Sequence, residues 1–266
     1  MKFLYDLSQA PASWDFATWL AGADMHRRMR DESLEVVLKP GERAGDVMSA
    51  ADRARMLEHV MRPLVEMLGG TVEEGDEGQT HPYIMSHVLR LHRLGGVRPD
   101  FLANAQPQER GYVTITLREA AYWPQRNSDW DAWSLFAMRL EREGERIVWV
   151  RDTAKADVAL PPKMQAAPTA SKDVRARAAL YAGAKVNYFV NNGPAMLCIM
   201  SGAPYRIFKP VCDAPACSED WWTRSVGVSP GYQFPWATTD QRIVWRDDDF
   251  NSLFETWAAD RVMEAA

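Results

Sequence analysis

Apolar and polar positions alternate along the first part of the chain in two patterns, one typical of strands and one typical of helices. Short runs dense in apolar side chains predict strands at 2–5 and 33–38. Apolar side chains at helical spacing predict helices at 15–29, 49–68 and 82–94. The acidic, glycine-rich stretch 71–80 predicts a turn.

The alternation continues beyond a polar, proline-containing connection at 95–110, where we place a domain boundary. Apolar runs predict strands at 112–118, 146–151, 186–190, 205–208 and 242–245. Helical spacing predicts helices at 129–143, 171–182, 195–201, 221–226 and 250–263, the second of them capped by Ser171. Alternating elements of these lengths predict a parallel sheet covered on both faces, and thus an α/β fold. We expect two Rossmann-like domains, 1–108 and 109–266.

The composition is that of an ordinary globular protein. Of the 266 residues, 47% are hydrophobic and 25% are charged, which suffices for one large core or two smaller ones. No apolar run approaches the roughly 20 residues of a membrane-spanning helix, and the N-terminus lacks a signal-peptide pattern. We therefore expect a cytoplasmic protein without a transmembrane segment.

Charge and cysteine content narrow the range of partners. A net charge of −5 argues against a nucleic acid partner, because a phosphate backbone requires a concentrated basic surface. A small phosphate-bearing ligand needs only a few local donors. The chain has three cysteines, at 198, 212 and 217, and this odd number predicts reduced thiols. Two neighbouring cysteines make a weak metal site, so we expect no bound metal.

The loop after the strand at 112–118 carries Arg118, Arg126, Asn127 and Ser128 just before a predicted helix. Ligands of open α/β sheets bind at the carboxyl ends of strands, so such loops are candidate sites. Two guanidinium groups and a helix N-terminus suit a pyrophosphate. The alternative is a surface loop whose arginines pair with nearby carboxylates.

A second candidate is the turn that follows the strand at 186–190. It contains Asn191, Asn192, Gly193, Pro194 and Met196. Gly193 permits close approach of the backbone, and Pro194 suits the first position of a helix. The turn is therefore a candidate contact for an anion or a sugar. An ordinary strand-to-helix connection is the alternative.

A third loop, 229–236, is rich in aromatic residues. These side chains can stack on a nucleobase or a sugar ring, or they can pack as an irregular segment of the core.

Asp6 and Asp15 flank the loop after the first strand. Either carboxylate is a candidate general base that takes a proton from an acceptor hydroxyl. The alternative for Asp15 is structural, because acidic side chains also stabilise helix N-termini.

Several well-known catalytic patterns are missing from the sequence. It has no P-loop, no G-x-G-x-x-G and no G-x-S-x-G, which removes the main support for kinase, dinucleotide oxidoreductase and hydrolase functions. The spacings of His81, His87 and His92 do not match one helix face, so no histidine metal triad is predicted.

Four segments of the second half, taken together, resemble one family. They are the strand at 112–118, the loop Trp123-Pro124-Gln125-Arg126-Asn127-Ser128, the helix ending Arg177-Ala178-Ala179-Leu180-Tyr181, and the turn from Val190 to Leu197. This combination resembles the C-terminal half of GT-B glycosyltransferases, and within them the heptosyltransferase-like group. Those enzymes tend to carry Asp-Thr-Gly-Pro-Met-His at the turn. Here the turn keeps Gly193-Pro194 and lacks both the Asp and the His.

The resemblance implies two Rossmann-like domains that face each other across a cleft. The C-terminal domain of such an enzyme holds a nucleotide-sugar, and the N-terminal domain offers the acceptor and a catalytic carboxylate. The implied reaction moves the sugar to a glycan or lipid-linked acceptor in polysaccharide biosynthesis, which is compatible with peripheral membrane association.

Applied to this chain, the resemblance gives each candidate residue a role. Arg118 and Arg126 hold the diphosphate, Asn192 and Gly193 contact the donor, and Asp6 or Asp15 is the base. No cofactor or metal is required, because arginines and helix dipoles can stabilise the departing diphosphate. A catalytically inactive binding module of the same fold is the alternative, favoured by the missing Asp and His. A sugar epimerase on the same plan ranks last.

Overall fold

The computed structural model describes residues 1–46 and 48–264, in which two sheets consist of parallel strands. The first sheet has the order β1 (Lys2–Asp6), β2 (Glu35–Lys39), β3 (Thr71–Glu74). The second contains β4 (Tyr112–Thr116), β5 (Ile147–Val150), β6 (Gln165–Ala166), β7 (Ala184–Val190), β8 (Tyr205–Phe208) and β9 (Gln241–Ile243). Its order, β6-β5-β4-β7-β8-β9, is that of a Rossmann fold. The prediction of an α/β fold with parallel sheets is confirmed.

Helices connect the strands. Those of the first part are α1 (Asp15–Met29), α2 (Ala50–Met56), α3 (Arg62–Met67) and α4 (Met85–Arg93). Those of the second are α5 (Trp130–Arg142), α6 (Pro168–Lys172), α7 (Val174–Gly183), α8 (Met196–Ile199), α9 (Glu219–Trp221) and α10 (Phe250–Glu264). No helix in the described part of the chain is long and apolar enough to cross a membrane.

The long helix predicted at 49–68 is present but is not uniform. Ser49 begins it, with its hydroxyl accepting a hydrogen bond from the Asp52 amide at 3.1 Å. A π-helical turn, Leu57–Met61, separates α2 from α3. Pro63, the second residue after this turn, has no N–H to donate to it, which accounts for the local widening. The helix ends before Gly69, whose φ is +74°.

Some elements differ from the sequence predictions. Strand β3 lies in the stretch predicted as a turn, and it was missed because its side chains are mostly exposed. Strand β6 is missing from the predictions for the same reason. The helix predicted at 171–182 is two helices, α6 and α7. Asp173, not Ser171, caps the second, accepting from the Ala176 amide at 2.9 Å. The Ser171 hydroxyl donates to a carbonyl of its own turn.

The central strand β4 is buried on both faces. Its apolar side chains pack against α5 and α10 in a cluster that includes Trp133, Phe136 and Leu253. Its two threonines point to the other face, where each polar group is paired. Thr114 donates to Asn187 Oδ1 at 2.6 Å, and the Thr116 hydroxyl lies 2.9 Å from that of Tyr181. Such pairing removes the cost of burying hydroxyl groups.

One apolar cluster joins the two sheets. Buried side chains of α1 and α3 pack in the same cluster as those of α7 and α8, for example Leu20 and Leu64 with Ala178 and Leu197. The faces of α7 and α8 that lie away from the second sheet are therefore covered by the first part of the chain. The division at residue 108 stays a prediction.

Candidate functional site

The candidate site lies at the carboxyl ends of β4 and β7. These neighbouring strands are the point where the chain order of the second sheet reverses, since β5 and β6 lie to one side and β8 and β9 to the other. Ligands of open α/β sheets bind at such a reversal. Residues 117–128 leave β4 and are named the β4 loop. Residues 191–195 leave β7 and are named the β7 turn.

Arg118 holds the β4 loop in shape. Its side chain is buried, with 5% of the residue exposed. Its guanidinium donates to the Trp123 carbonyl at 3.0 Å, the Tyr122 carbonyl at 2.9 Å and the Asn127 side-chain oxygen. The Ser128 hydroxyl accepts from the Arg118 amide at 3.0 Å. Arg118, Asn127 and Ser128 thus have a structural role in the loop, and their contact with a ligand stays a prediction.

The start of α5 was expected to offer free N–H groups to an anion, and this expectation is wrong. The Asp129 carboxylate accepts from the amides of Asp131 and Ala132, both at 3.1 Å. The buried carboxylate of Asp248 accepts from the Asp129 amide at 2.8 Å. Two negative charges of the protein itself therefore occupy this helix N-terminus.

Arg126 lies at the centre of the candidate site. Its Nη2 donates to the Asn191 carbonyl at 3.2 Å, which joins the β4 loop to the β7 turn. Its guanidinium lies 5.6 Å from the ring centroid of Trp123. Its buried Nε has no hydrogen-bond partner among the described residues. Burial raises the pKa of Asp15 and the positive charge of Arg126 opposes this increase, so the two predicted site residues are close enough for their charges to interact.

The β7 turn presents its backbone to the same region. The Asn192 side chain accepts from the Ala195 amide at 3.2 Å, and Pro194 follows at the second position of a 3₁₀ turn. In the part of the chain that the structure describes, the amides of Asn192 and Gly193 have no protein acceptor. Two adjacent free N–H groups are suitable donors for phosphate oxygens.

Met196 faces away from this backbone surface. It is 8% exposed, and the Thr18 hydroxyl donates to its sulfur at 3.8 Å. Its position indicates packing between α8 and α1, and its predicted ligand contact stays a prediction.

The two candidate bases lie in different surroundings. Asp6 accepts from the Ser8 hydroxyl at 2.6 Å and from Lys39 at 2.9 Å, and the Ser8 hydroxyl is the main cause of its lowered pKa. Asp15 is accessible to solvent, yet the protein around it partly desolvates its carboxylate and raises its pKa. Ser13, Arg126 and Arg43 oppose this increase. A raised pKa suits a proton acceptor better than a lowered one.

Trp14 and Arg43 also lie at the candidate site and are absent from the sequence predictions. Trp14 lies directly against Gly193, and the guanidinium of the buried Arg177 lies 5.7 Å from its ring centroid. Arg43 follows β2 and is close enough to Asp15 to affect its pKa. The rule that ligands bind beyond the carboxyl ends of strands also applies to the loop after β2, and it is the signal that points to Arg43.

A cavity of about 470 Å³ adjoins the β4 loop at the ends of β4 and β5. Its apolar lining is Leu117, Trp130, Val158, Ala159, Leu160 and Pro161, and its polar lining is Arg118, Glu119, Asn127, Ser128, Arg151 and Lys155. Glu119 neutralises much of the positive charge, because it pairs with Arg151 and lies 3.5 Å from Lys155. An apolar wall with a few polar groups suits a ring system with hydroxyls.

The aromatic loop at 229–236 packs mainly as part of the protein. Phe234 and Trp236 stack with their ring centroids 5.4 Å apart, and the Trp236 indole donates to the Ile199 carbonyl at 3.0 Å. Tyr232 points to solvent.

Three histidines meet on the first part of the chain. His26 and His87 approach to 3.3 Å between their Nε2 atoms, and His81 stacks on Trp19 with ring centroids 4.9 Å apart. Across residues 1–46 and 48–264, no group of three or more His, Cys, Asp or Glu side chains is arranged to hold a metal ion.

Solved structures of heptosyltransferases have the same fold. E. coli heptosyltransferase WaaC with ADP aligns over 100% of both chains, with a TM-score of 0.53 and 14% identity. Dodecameric iron-containing heptosyltransferase TibC in complex with ADP-D-β-D-heptose aligns over 97% of this chain and 76% of its own, with a TM-score of 0.54 and 10% identity. The glycosyltransferase TibC from enterotoxigenic E. coli aligns over 99% and 76%, with a TM-score of 0.52 and 12% identity.

No protein-family profile and no curated protein sequence matches the chain. The structural likeness at these identities concerns the fold. The chain has the heptosyltransferase-like fold that its sequence resembles.

Proposed function

We propose that the protein is a glycosyltransferase that moves a sugar from a nucleotide-sugar to a glycan or lipid-linked acceptor in the cytoplasm, as a step of polysaccharide biosynthesis. The observation that carries the proposal is the convergence of Arg126, the free amides of Asn192 and Gly193, and the carboxylate of Asp15. Together these groups provide a cation, two N–H groups that can donate hydrogen bonds to an anion, and a base. The ligands named for WaaC and TibC, ADP and ADP-heptose, support an adenosine diphosphate donor.

In this scheme the diphosphate lies against Arg126 and the β7 turn, and the nucleoside extends into the cavity beside the β4 loop. Asp15 takes the proton of the acceptor hydroxyl. At the same time the hydroxyl oxygen bonds to the anomeric carbon of the sugar. The bond from that carbon to the diphosphate breaks, and the leaving diphosphate carries away the electron pair. Arg126 and the amides stabilise the negative charge that develops on it. The scheme requires no resident metal or cofactor.

The first test is binding. Isothermal titration calorimetry with ADP, UDP, GDP and CDP is expected to detect binding of at least one of them. ADP is expected to bind most tightly. Arg126→Met is expected to weaken that binding at least about tenfold, because a charge-assisted contact with phosphate is lost. Arg175→Met is the matched control, since Arg175 is an exposed arginine paired with Glu66. Absence of binding to all four nucleotides at millimolar concentration contradicts the proposal.

A catalytically inactive nucleotide-sugar-binding module is the second candidate. It is favoured by the β7 turn, which lacks the Asp and His typical of the group that it resembles. Release of nucleoside diphosphate from a panel of nucleotide-sugars, ADP-heptose among them, separates the two candidates. Binding without release in the presence of glycan and lipid-linked acceptors identifies a binding module, and release supports the transferase.

A further inference from the structure

Two cysteines lie side by side at the edge of the candidate site. Residues 212–217, named the cysteine loop, fold back on themselves, with the Cys212 amide donating to the Cys217 carbonyl at 3.2 Å. The Cys217 amide donates to the Ala214 carbonyl at 3.0 Å. The backbone hydrogen bond between Cys212 and Cys217 brings the two residues together, and both cysteines are free.

The cysteine loop contacts both segments of the candidate site. The Asn191 side-chain amide donates to Cys217 Sγ at 3.4 Å, so the first residue of the β7 turn is held by this sulfur. The Gln125 side-chain amide donates to the Asp213 carbonyl at 3.2 Å, which ties the β4 loop to the same segment. A change at either sulfur therefore acts on the residues around Arg126.

The two thiols differ in accessibility. Cys217 is 0% exposed, and burial raises its pKa to about 11, although the charge of Arg126 opposes the increase. Cys212 is half-buried, so it is the more accessible of the two cysteines to an oxidant in solution. The remaining cysteine, Cys198, is enclosed in the apolar cluster between the sheets and serves as an internal reference.

We propose that Cys212 and Cys217 are a reversible redox site that controls the β7 turn. A peroxide oxidises the Cys212 thiolate to a sulfenic acid, and its distal oxygen leaves as water after taking up a proton. The Cys217 sulfur then attacks the Cys212 sulfur, releasing a second water and forming the disulfide. Two thiols and one peroxide thus give one disulfide and two waters, and a dithiol reductant reverses the change. Bonding to Cys212 reorients Cys217 Sγ and thereby disturbs the hydrogen bond that it accepts from Asn191.

The covalent step is tested on the full chain. Reduced protein treated with a small excess of hydrogen peroxide is expected to lose two hydrogens in mass, with its three thiols falling to one under denaturing conditions. Peptide mapping is expected to join Cys212 to Cys217 and leave Cys198 free. Cys212→Ser is the matched control and is expected to form no internal link. Retention of all three thiols, linkage through Cys198, or linkage only between chains overturns the proposal.

The control of the β7 turn is tested by amide hydrogen exchange of residues 188–195 in the reduced and oxidised forms. Faster exchange in the oxidised form is expected, reversed by reductant, and unchanged exchange overturns the coupling. A further consequence rests on the proposed function: the oxidised protein is expected to bind ADP about tenfold more weakly. If neither form binds ADP, the proposed function fails while the exchange experiment still decides the redox site. Equal affinity of both forms overturns control of binding.

Discussion

Gly193 lies directly against Trp14: a Cβ added to Gly193 would come within 2.2 Å of the Trp14 Cβ and 2.5 Å of its Cγ. The β7 turn of the second sheet and the loop after β1 of the first therefore touch through a glycine that has no side chain to interfere. This contact brings Asp15, the residue after Trp14, towards the turn, where the charge of Arg126 acts on its carboxylate.

Gly193→Ala is expected to destabilise the protein by about 1–3 kcal/mol, because the added methyl group overlaps a side chain held between two sheets. Urea denaturation measures the change. Gly202→Ala is the matched control, since a Cβ there meets no atom within 4 Å, and a change within about 0.5 kcal/mol is expected. Equal stability of the two variants would mean that Trp14 moves aside freely.

Asp15→Asn is expected to lower the transfer rate by about 10²–10⁴-fold, because the amide cannot take the acceptor proton. In the wild type, kcat/KM is expected to fall as the pH drops through the pKa of Asp15, since only the ionised carboxylate acts as a base. Burial raises this pKa and the charge of Arg126 opposes the increase. Arg126→Met is therefore expected to move the acid limb of the pH profile, which is the fall of kcat/KM at low pH, to higher pH. The pH dependence of kcat/KM measures both effects.

Asp6→Asn is the control for Asp15. Asp6 is already bonded to Ser8 and Lys39, so its loss is expected to leave the acid limb in place. If the limb disappears in Asp6→Asn and remains in Asp15→Asn, the two carboxylates have the opposite roles.

Lys209→Met is expected to destabilise the protein by about 3–5 kcal/mol. Burial alone would lower the pKa of Lys209, but Asp248 and Asp247 raise it overall, so Lys209 stays charged. Its ammonium lies 2.6 Å from Asp248, which is 1% exposed, and 3.0 Å from the Asn127 carbonyl of the β4 loop. Removing the cation leaves a buried carboxylate without its counter-charge.

Lys172→Met provides the comparison for Lys209, because its pair with Asp157 is exposed. A cost of about 0–1 kcal/mol is expected. Guanidinium denaturation of both variants gives the two free energies of unfolding, and similar losses contradict the assignment of a buried ion pair to Lys209.

The folded protein is expected to lose stability as the pH falls from 6.5 towards 4. Arg90 donates to His87 Nδ1 at 3.1 Å, so His87 carries its proton on Nε2 and donates to His26. Burial lowers the pKa of His87 from 6.5 to about 4, with His26 and Arg90 contributing. Unfolded His87 takes up a proton below pH 6.5 and folded His87 does not, which favours unfolding by an amount on the order of 3 kcal/mol once both pKa values are passed.

His87→Gln is expected to flatten this dependence, measured as the midpoint of thermal unfolding at each pH. His59→Gln, at an exposed histidine, is expected to keep the wild-type slope. Parallel slopes for all three proteins would assign the acid sensitivity to other groups.

The strands and helices with apolar patterns were predictable, because buried faces impose a period on the sequence. Strand β3 was not, since its exposed side chains impose none. Arg126, Asn191 and Gly193 were placed near one another by the rule that strand ends of a parallel sheet meet at one edge. The structural role of Arg118 was not predictable, because it depends on where the carbonyls of Tyr122 and Trp123 point. The hydrogen bond from the amide of Asp129, the N-cap of α5, to Asp248 was not predictable either, because Asp248 lies over a hundred positions away in the sequence.

The apolar cluster shared by α1, α3, α7 and α8 restricts how the protein can respond to a ligand. Two lobes that rotate about a flexible hinge need a polar, separable interface, whereas opening this one exposes side chains such as Leu20 and Leu197 to water. Under the proposed function, substrate entry and product release are therefore expected to depend on rearrangement of the loops at the sheet edges and not on separation of the two sheets.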